Sequence, residues 1–269
     1  MGLADSIEWH DRAWQGELLA RIYEPPAATR AERSGAAVVD VHGGAWSSRD
    51  RTLGERYCLA IAAAGFVVIA IDFRDGRVAR HPAAVQDIAD AVRWVRGEGI
   101  ALGVDPERVA LIGSSSGGHL ALHVALTEVD VPFVAAFWPP TDPLSRYLYA
   151  KGLVGAPVPA GQSFDAPGLV ASTEAYFGEE AVMREASIAG LVRAGRARYL
   201  PPVWLARPGE DMNVPASMID ELALQYRKAG GALELTEYPG EVHGFGHGGH
   251  AGAIQFQADL IERLVVALQ

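Results

Sequence analysis

The chain has 269 residues, of which 49% are hydrophobic and 21% are charged, and its formal net charge is −10. This length can bury the core of one large domain, and this composition excludes a disordered chain. The basic residues are scattered, which argues against a nucleic-acid partner. The single cysteine, Cys58, excludes an intrachain disulfide. The hydrophobic runs are shorter than the ~18 residues of a membrane span. No signal-peptide pattern opens the chain, so we expect a cytoplasmic protein without a membrane partner.

Hydrophobic runs bounded by turn residues alternate with helical periodicity along the first half of the chain. The runs predict strands at residues 16–24, 36–41, 66–71, 108–112 and 131–137. The periodic segments predict helices at residues 52–64, 82–96 and 119–127. The polar residues 27–35 predict a loop or turn. Short runs rich in β-branched residues are typical of strands that are buried on both faces.

Residues 139–199 interrupt this alternation. They contain six of the 16 prolines, and helical patterns occur only near residues 172–177 and 180–192. The alternation then resumes with strands at 202–206 and 232–238 and helices at 215–229 and 251–268. We therefore predict one α/β domain over residues 1–269, with a mainly parallel sheet, helices on both faces and an inserted cap over about 139–199. In such sheets ligands bind beside the carboxyl ends of the strands.

The sequence GSSSG at residues 113–117 lies directly between a predicted strand and a predicted helix. In a G-x-S-x-G turn of this kind the central serine is raised above the sheet, and glycines leave room for the strained backbone. The spacing selects Ser115, rather than Ser114 or Ser116, as a nucleophile. The alternative is a simple Ser/Gly turn that caps the helix, and the strand–turn–helix context favours the nucleophile.

The sequence HGGAW at residues 42–46 follows an earlier predicted strand. A glycine-rich run at this point supplies backbone N–H groups that stabilise an oxyanion. We predict that Gly44 and Ala45 donate, together with Ser116, the residue after the nucleophile. His42 is interpreted as a structural residue that anchors the loop. A generic glycine turn is the alternative.

A serine nucleophile needs a base, and the base needs a carboxylate that orients it. Asp211 follows the predicted strand at 202–206 and precedes Val214-Pro215, which makes it the predicted acid. Glu210 and Asp142 are the rival carboxylates.

His243 lies in a glycine-rich loop after the last predicted strand and is the predicted base. The order serine, acid, histidine is the order expected for this arrangement. The alternative is a histidine that only stabilises its loop. His247 and His250 follow it, but no H-E-x-x-H pattern is present, so we predict no metal site and no organic cofactor.

Eight aromatic residues are near these motifs or in the predicted cap: Trp46, Trp138, Tyr147, Tyr149, Phe164, Tyr176, Phe177 and Phe245. Pockets for small ligands are mostly apolar and aromatic. We predict that Trp46, Trp138, Tyr147 and Phe245 line the substrate pocket. The alternative is that such residues pack the cap onto the core.

The motifs HGGAW, GSSSGG, DMNVP and VHGF together resemble those of the hormone-sensitive-lipase-like esterases, and especially the branch of feruloyl- and acetyl-xylan-esterase-like hydrolases. The resemblance covers the chain from about residue 36 to its C-terminus. It implies an α/β-hydrolase fold and a serine carboxylesterase that cleaves small esters of short to medium acyl or aryl groups. It also implies that a homodimer is one assembly to expect.

The resemblance leaves rival functions open. HGGAW also fits the H-G-G-x-W motif of kynurenine formamidases, which cleave an N-formyl amide with the same kind of triad. The sequence therefore leaves an arylformamidase or amidase as the alternative activity. A non-catalytic ligand-binding relative is disfavoured, because such proteins usually lose a triad residue and all three types are present here.

Overall fold

The computed structural model describes residues 7–269. Their strands form an eight-stranded sheet in the order β1-β2-β4-β3-β5-β6-β7-β8. The strands are β1 (Glu8–Gln15), β2 (Leu18–Glu24), β3 (Ala37–Val41), β4 (Val67–Ile71), β5 (Val109–Ser114), β6 (Val134–Phe137), β7 (Val203–Pro208) and β8 (Leu233–Tyr238). The pairs β1–β2 and β2–β4 are antiparallel, and the other neighbours are parallel. The predicted α/β class with a mainly parallel sheet is confirmed.

Ten α-helices connect or follow these strands in residues 7–269. They are α1 (Ala27–Arg33), α2 (Glu55–Ala63), α3 (Ala83–Glu98), α4 (Ser116–Thr127), α5 (Pro143–Gly152), α6 (Ala166–Phe177), α7 (Glu180–Glu185), α8 (Ile188–Arg193), α9 (Ala216–Lys228) and α10 (Ala251–Ala267). The helices α5 to α8 lie between β6 and β7, in the segment predicted as a cap. Across the described range, no helix has the length and apolar character needed to cross a bilayer. The predicted domain begins at residue 1, and the prediction that there is no signal peptide also concerns the first residues. Residues 1–6 lie outside the described part of the chain.

The core explains why the central strands β3, β4 and β5 were predicted. Every residue of β3, β4 and β5 is buried. On one face of the sheet the core includes side chains of α3 and α4, and on the other face those of α2 and α10. Strands covered on both faces need nearly continuous hydrophobic sequence, and that signal is strong.

One strand and two helices were missed, and residues 180–192, predicted as one helical stretch, contain the two helices α7 and α8. The polar segment 27–35 was predicted as a loop, but it contains α1, none of whose side chains is buried. Strand β1 was not predicted, and it is an antiparallel edge strand whose residues are mostly exposed. The first helix after β6, α5, was also missed; it begins after Asp142, whose side chain accepts a hydrogen bond from the Ser145 N–H. The exposed α1 and β1 have no hydrophobic periodicity to reveal them, whereas α5 is partly buried and lies in a segment without clear periodicity.

Strand β3 carries an aspartate whose carboxyl group lies in the core. Asp40 is fully buried, and it accepts hydrogen bonds from the Tyr57 hydroxyl (3.0 Å) and the Cys58 thiol (3.5 Å). Burial raises the pKa of Asp40 to about 7, although the two hydrogen bonds favour the charged form. The neutral acid is therefore the better-stabilised state in the core.

This raised pKa predicts a specific pH dependence of stability. Between about pH 4 and pH 7 the folded protein retains a proton on Asp40 that the unfolded chain releases, so its contribution to the unfolding free energy falls as the pH rises. Asp40→Asn removes this titration. Relative to wild type, the variant should gain about 1.4 kcal/mol per pH unit across that range.

Urea unfolding at several pH values measures the difference between wild type and Asp40→Asn. The control is Asp90→Asn, which removes the same charge at an exposed position in α3. The prediction would be contradicted if the unfolding free energies of Asp40→Asn and wild type changed with pH in the same way.

Candidate active site

Ser115 occupies a strained turn between β5 and α4. Its backbone has φ 51° and ψ −125°, which is an unusual conformation for a residue with a side chain. The turn also requires close backbone approach. A Cβ at Gly117 would lie 2.0 Å from the Val41 carbonyl oxygen, and one at Gly113 would lie 2.5 Å from the Gly117 carbonyl oxygen. The glycines at both flanks are therefore needed for α4 to pack against β3 and β5.

The close approach at Gly117 predicts that even one added methyl group disrupts this turn. Gly117→Ala should lower the unfolding free energy by about 3 kcal/mol, because the obstructing atom belongs to the backbone of a central strand. The matched control is Gly97→Ala in α3, where an added Cβ meets no atom within 4 Å. That change should stabilise the helix by up to about 1 kcal/mol. Chemical denaturation measures both, and equal effects would contradict the packing argument.

Asp211, His243 and Ser115 form a continuous chain of hydrogen bonds. His243 Nδ1–H donates to Asp211 Oδ2 at 2.8 Å, and the Ser115 hydroxyl donates to His243 Nε2 at 3.0 Å. The side chain of Asp211 is 4% exposed and that of His243 is 17% exposed. The structure thus brings together three side chains that are 128 and 32 positions apart in the sequence.

The loop after β7 fixes the orientation of the Asp211 carboxylate. Its Oδ1 accepts hydrogen bonds from the backbone N–H groups of Asn213 (2.7 Å) and Val214 (3.0 Å). These bonds leave Oδ2 to face His243. A carboxylate held in this way fixes the histidine tautomer, with the proton on Nδ1 and the lone pair of Nε2 toward the serine.

The rival carboxylates lie elsewhere. Asp142 caps α5 and also accepts a hydrogen bond from the Ser187 hydroxyl at 2.9 Å. Glu210 is exposed, beside the buried acid but without a contact to His243 in the described part of the chain. Only Asp211, of the three candidates, bonds the histidine ring.

The loop after β3 passes beside Ser115. Gly44 and Ala45 line the same cavity as Ser115 and have φ values of 123° and 51°. A Cβ at Gly44 would lie 2.1 Å from the Ser48 carbonyl oxygen, so only glycine fits there. Within residues 7–269, no backbone acceptor bonds the N–H groups of Gly44, Ala45 or Ser116. These are the three donors predicted for an oxyanion.

His42 anchors this loop. Its Nδ1–H donates to the Gly43 carbonyl oxygen at 2.7 Å, and its ring stacks on Phe73 with centroids 4.4 Å apart. Burial lowers the pKa of His42, so the ring is neutral and acts as a fixed donor.

The cavity beside Ser115 has a volume of about 700 Å³. This is within the range of small-molecule sites. Of the four aromatic residues predicted to line it, Trp138 does, with its ring centroid 6.3 Å from that of His243. The cavity wall therefore combines an aromatic ring with the hydrogen-bonded serine and histidine.

The structure places the other three aromatic residues behind the cavity wall. Trp46 donates its indole N–H to His119 Nδ1 at 3.2 Å and packs on Phe177. Tyr147 donates its hydroxyl to Glu174 at 2.7 Å. Phe245 packs between Trp138 and Tyr238. Their expected role as substrate contacts is thus corrected to packing: indole and phenol groups that are buried find polar partners inside the protein.

Sequence reasoning missed three charged residues of the cavity wall, the exposed Arg49 and Asp165 and the buried Arg146. Arg146 lies on α5, a helix that was not predicted, and it is almost completely buried. An isolated arginine in a segment without clear periodicity gives no sequence signal of this placement.

The two histidines after His243 differ in environment. His247 lines the cavity, and burial lowers its pKa to about 4. His250 is exposed and lies 3.6 Å from a Glu241 carboxylate oxygen. Throughout residues 7–269, no three His, Cys, Asp or Glu side chains are grouped as they would be around a metal ion.

Comparisons with known proteins agree with this architecture. The profile of a family described as the α/β-hydrolase fold matches residues 38–247. The chain belongs to the α/β-hydrolase fold family. The resemblance to its esterases, predicted from the four motifs, is confirmed by related sequences and structures.

Two relatives are esterases of Mycobacterium tuberculosis. Esterase LipI is 27% identical over 265 residues, which cover 94% of this chain and 78% of LipI. Carboxylesterase NlhH is 28% identical over 243 residues, which cover 85% of this chain and 71% of NlhH. Among solved structures, the thermophilic esterase Est2 of Thermogutta terrifontis with propionate bound has a TM-score of 0.73 and 27% identity. That match covers 96% of this chain and 93% of Est2.

Proposed function

We propose that this α/β-hydrolase is a serine carboxylesterase that cleaves small carboxylic esters through Ser115, His243 and Asp211. The observation that carries the proposal is the chain of two hydrogen bonds, 2.8 Å and 3.0 Å long, that joins these three side chains beside the cavity. The esterase relatives support the same reaction class. The propionate bound to Est2 supports a short acyl group.

In the proposed reaction, Ser115 Oγ attacks the ester carbonyl carbon while His243 Nε2 accepts the hydroxyl proton. Asp211 orients the ring and stabilises the imidazolium. The N–H groups of Gly44, Ala45 and Ser116 donate to the developing oxyanion. The ester C–O bond then breaks, and His243 returns the proton to the leaving alcohol. Water attacks the acyl-serine with the same proton transfers and releases the carboxylic acid.

The strained backbone at Ser115 supports this assignment of roles. The turn places the following N–H at the start of α4, where helix N–H groups lack internal partners and the helix dipole favours negative charge. The proposed nucleophile and one proposed oxyanion donor are adjacent in the chain, so their relative positions are fixed during the reaction.

Ser115→Ala should reduce kcat for 4-nitrophenyl acetate and butyrate by a factor of about 10⁴ or more, because no other group in the proposed triad replaces the nucleophile. Release of 4-nitrophenol measures the loss, and thermal unfolding checks that the variant folds. The assignment would be abandoned if folded Ser115→Ala kept wild-type activity.

Replacement of the acid separates Asp211 from its rival. Asp211→Asn should lower kcat by about 10³ to 10⁴, because the amide no longer holds the reactive tautomer. Asp142→Asn is the matched control. Asparagine caps a helix about as well as aspartate, so this variant should retain most of the activity. A large loss in Asp142→Asn with little loss in Asp211→Asn would reverse the assignment.

A further inference from the structure

Arg146 brings a positive charge into the wall of the active-site cavity. It lies on α5, and its side chain is 2% exposed. The cavity that it lines also contains Ser115 and His243. A buried guanidinium in a cavity with a nucleophilic serine requires a physical explanation, because removal of a charge from water is costly.

The protein supplies only part of the partners that this guanidinium needs. Arg146 Nε donates to the Asn213 carbonyl oxygen at 3.3 Å, and the guanidinium carbon lies 5.3 Å from the centroid of the Trp46 ring. Nη1 is buried and has no acceptor among residues 7–269. Within the same residues no carboxylate forms an ion pair with it. The guanidinium therefore retains unused donors beside the cavity.

Two other shielded arginines of this chain form ion pairs with carboxylates. Arg51 is 15% exposed and forms ion pairs with Asp72 (2.8 Å) and Asp11 (2.6 Å). Arg21 is 11% exposed and binds Asp11 at 2.9 Å. Arg146 is more deeply buried than either and lacks such a partner.

The charge of Arg146 persists in spite of burial. Burial lowers the pKa of Arg146 to about 10, and the negative charge of Asp211 opposes that shift. The Asp211 carboxylate forms its ion pair with His243 and also accepts from the N–H groups of Asn213 and Val214, and within residues 7–269 it makes no direct contact with Arg146. At neutral pH the cavity thus contains a cation whose charge is not neutralised by direct contact.

The remaining charges around the cavity are exposed. Arg49 and Asp165 both line it, and the Asp165 carboxylate caps α6 by accepting from the Gly168 N–H. Exposed charges are screened by water and contribute little to the binding of an ion. Arg146 is the buried charge that would discriminate between substrates.

We propose that the physiological ester carries a carboxylate that binds the guanidinium of Arg146. The inference rests on the proposed function and defines its substrate class as anionic esters. The planar guanidinium fork matches a carboxylate and forms charge-assisted hydrogen bonds with it. Such a ligand would satisfy the unused donors and neutralise the buried charge in one step.

Two kinds of ester present this group, and the experiment distinguishes them. In a half-ester of a dicarboxylic acid, the carboxylate belongs to the acyl part. In an ester of a hydroxy acid, it belongs to the alcohol part. The acyl comparison uses mono(4-nitrophenyl) adipate and 4-nitrophenyl hexanoate, which have acyl chains of equal length. The alcohol comparison uses 3-acetoxybenzoate and its methyl ester.

Wild type should prefer the anionic member of at least one pair by about tenfold or more in kcat/KM, after subtraction of spontaneous hydrolysis, as expected for a charge-assisted hydrogen bond. Equal or lower kcat/KM for the anionic member of both pairs overturns the proposal. Turnover of the neutral esters in that case leaves the esterase assignment intact, so the two failures are distinguishable.

Arg146→Gln tests the residue itself. The ratio of kcat/KM for the anionic and neutral esters is compared within each variant, so that a general loss of activity cancels. The ratio should fall to about one in Arg146→Gln, and Arg146→Lys should recover part of it, since it restores the charge without the fork. Arg49→Gln is the matched control, because it removes an exposed guanidinium from the same cavity, and it should keep the wild-type ratio. An unchanged ratio in folded Arg146→Gln overturns the proposal.

A binding measurement tests the proposal in two further cases. In one, Arg146→Gln does not fold; in the other, wild type hydrolyses none of these esters. Calorimetric titration of Ser115→Ala with adipate and with 3-hydroxybenzoate should detect binding of at least one carboxylate, with 1,6-hexanediol and benzyl alcohol as the uncharged controls. Failure of both carboxylates to bind more tightly than their controls overturns the proposal without reference to catalysis.

Discussion

The site depends on the close contact between the start of α4 and the end of β3. Gly117 lies so near the Val41 carbonyl oxygen that no side chain fits between them. The chain turns sharply after β5 as it makes this contact, and Ser115 has a positive φ in that turn. The same contact holds the loop after β3 beside the serine, because Val41 directly precedes that loop. One backbone constraint thus positions both the proposed nucleophile and the proposed oxyanion donors.

The parallel sheet then determines which other residues reach Ser115. Strands β5, β6, β7 and β8 are neighbours in that order and all run in the same direction. Their following loops therefore meet at one edge, and the loops after β7 and β8 supply Asp211 and His243. The backbone bonds that hold Asp211 Oδ1 leave a single oxygen free for the histidine. The sheet thus brings the loops of the proposed site close together, and the local turns fix the orientation of their side chains.

The sequence predicted the parts of this arrangement that have a local or periodic signal. The buried strands were recognised because both of their faces are apolar, and the turn at Ser115 because its glycines are needed sterically. Residue type alone does not show whether an aromatic ring faces the cavity or packs behind the residues that line it. Trp46 and Tyr147 were therefore expected at the cavity, yet both use their polar atoms inside the protein. Arg146 had no signal, because its burial depends on how α5 packs.

Arg146 connects three parts of the chain that the mechanism requires. It lies on a helix between β6 and β7, bonds the carbonyl oxygen of Asn213 in the acid loop and lies over Trp46 in the loop of the oxyanion donors. A neutral residue of similar size would make the packing contact without the cost of a buried charge. The presence of a charged guanidinium with unused donors at this position is therefore better explained by ligand binding than by a contribution to the stability of the fold. A carboxylate bound there would also offset the desolvation of the guanidinium, so that substrate binding and the order of the cavity wall reinforce each other.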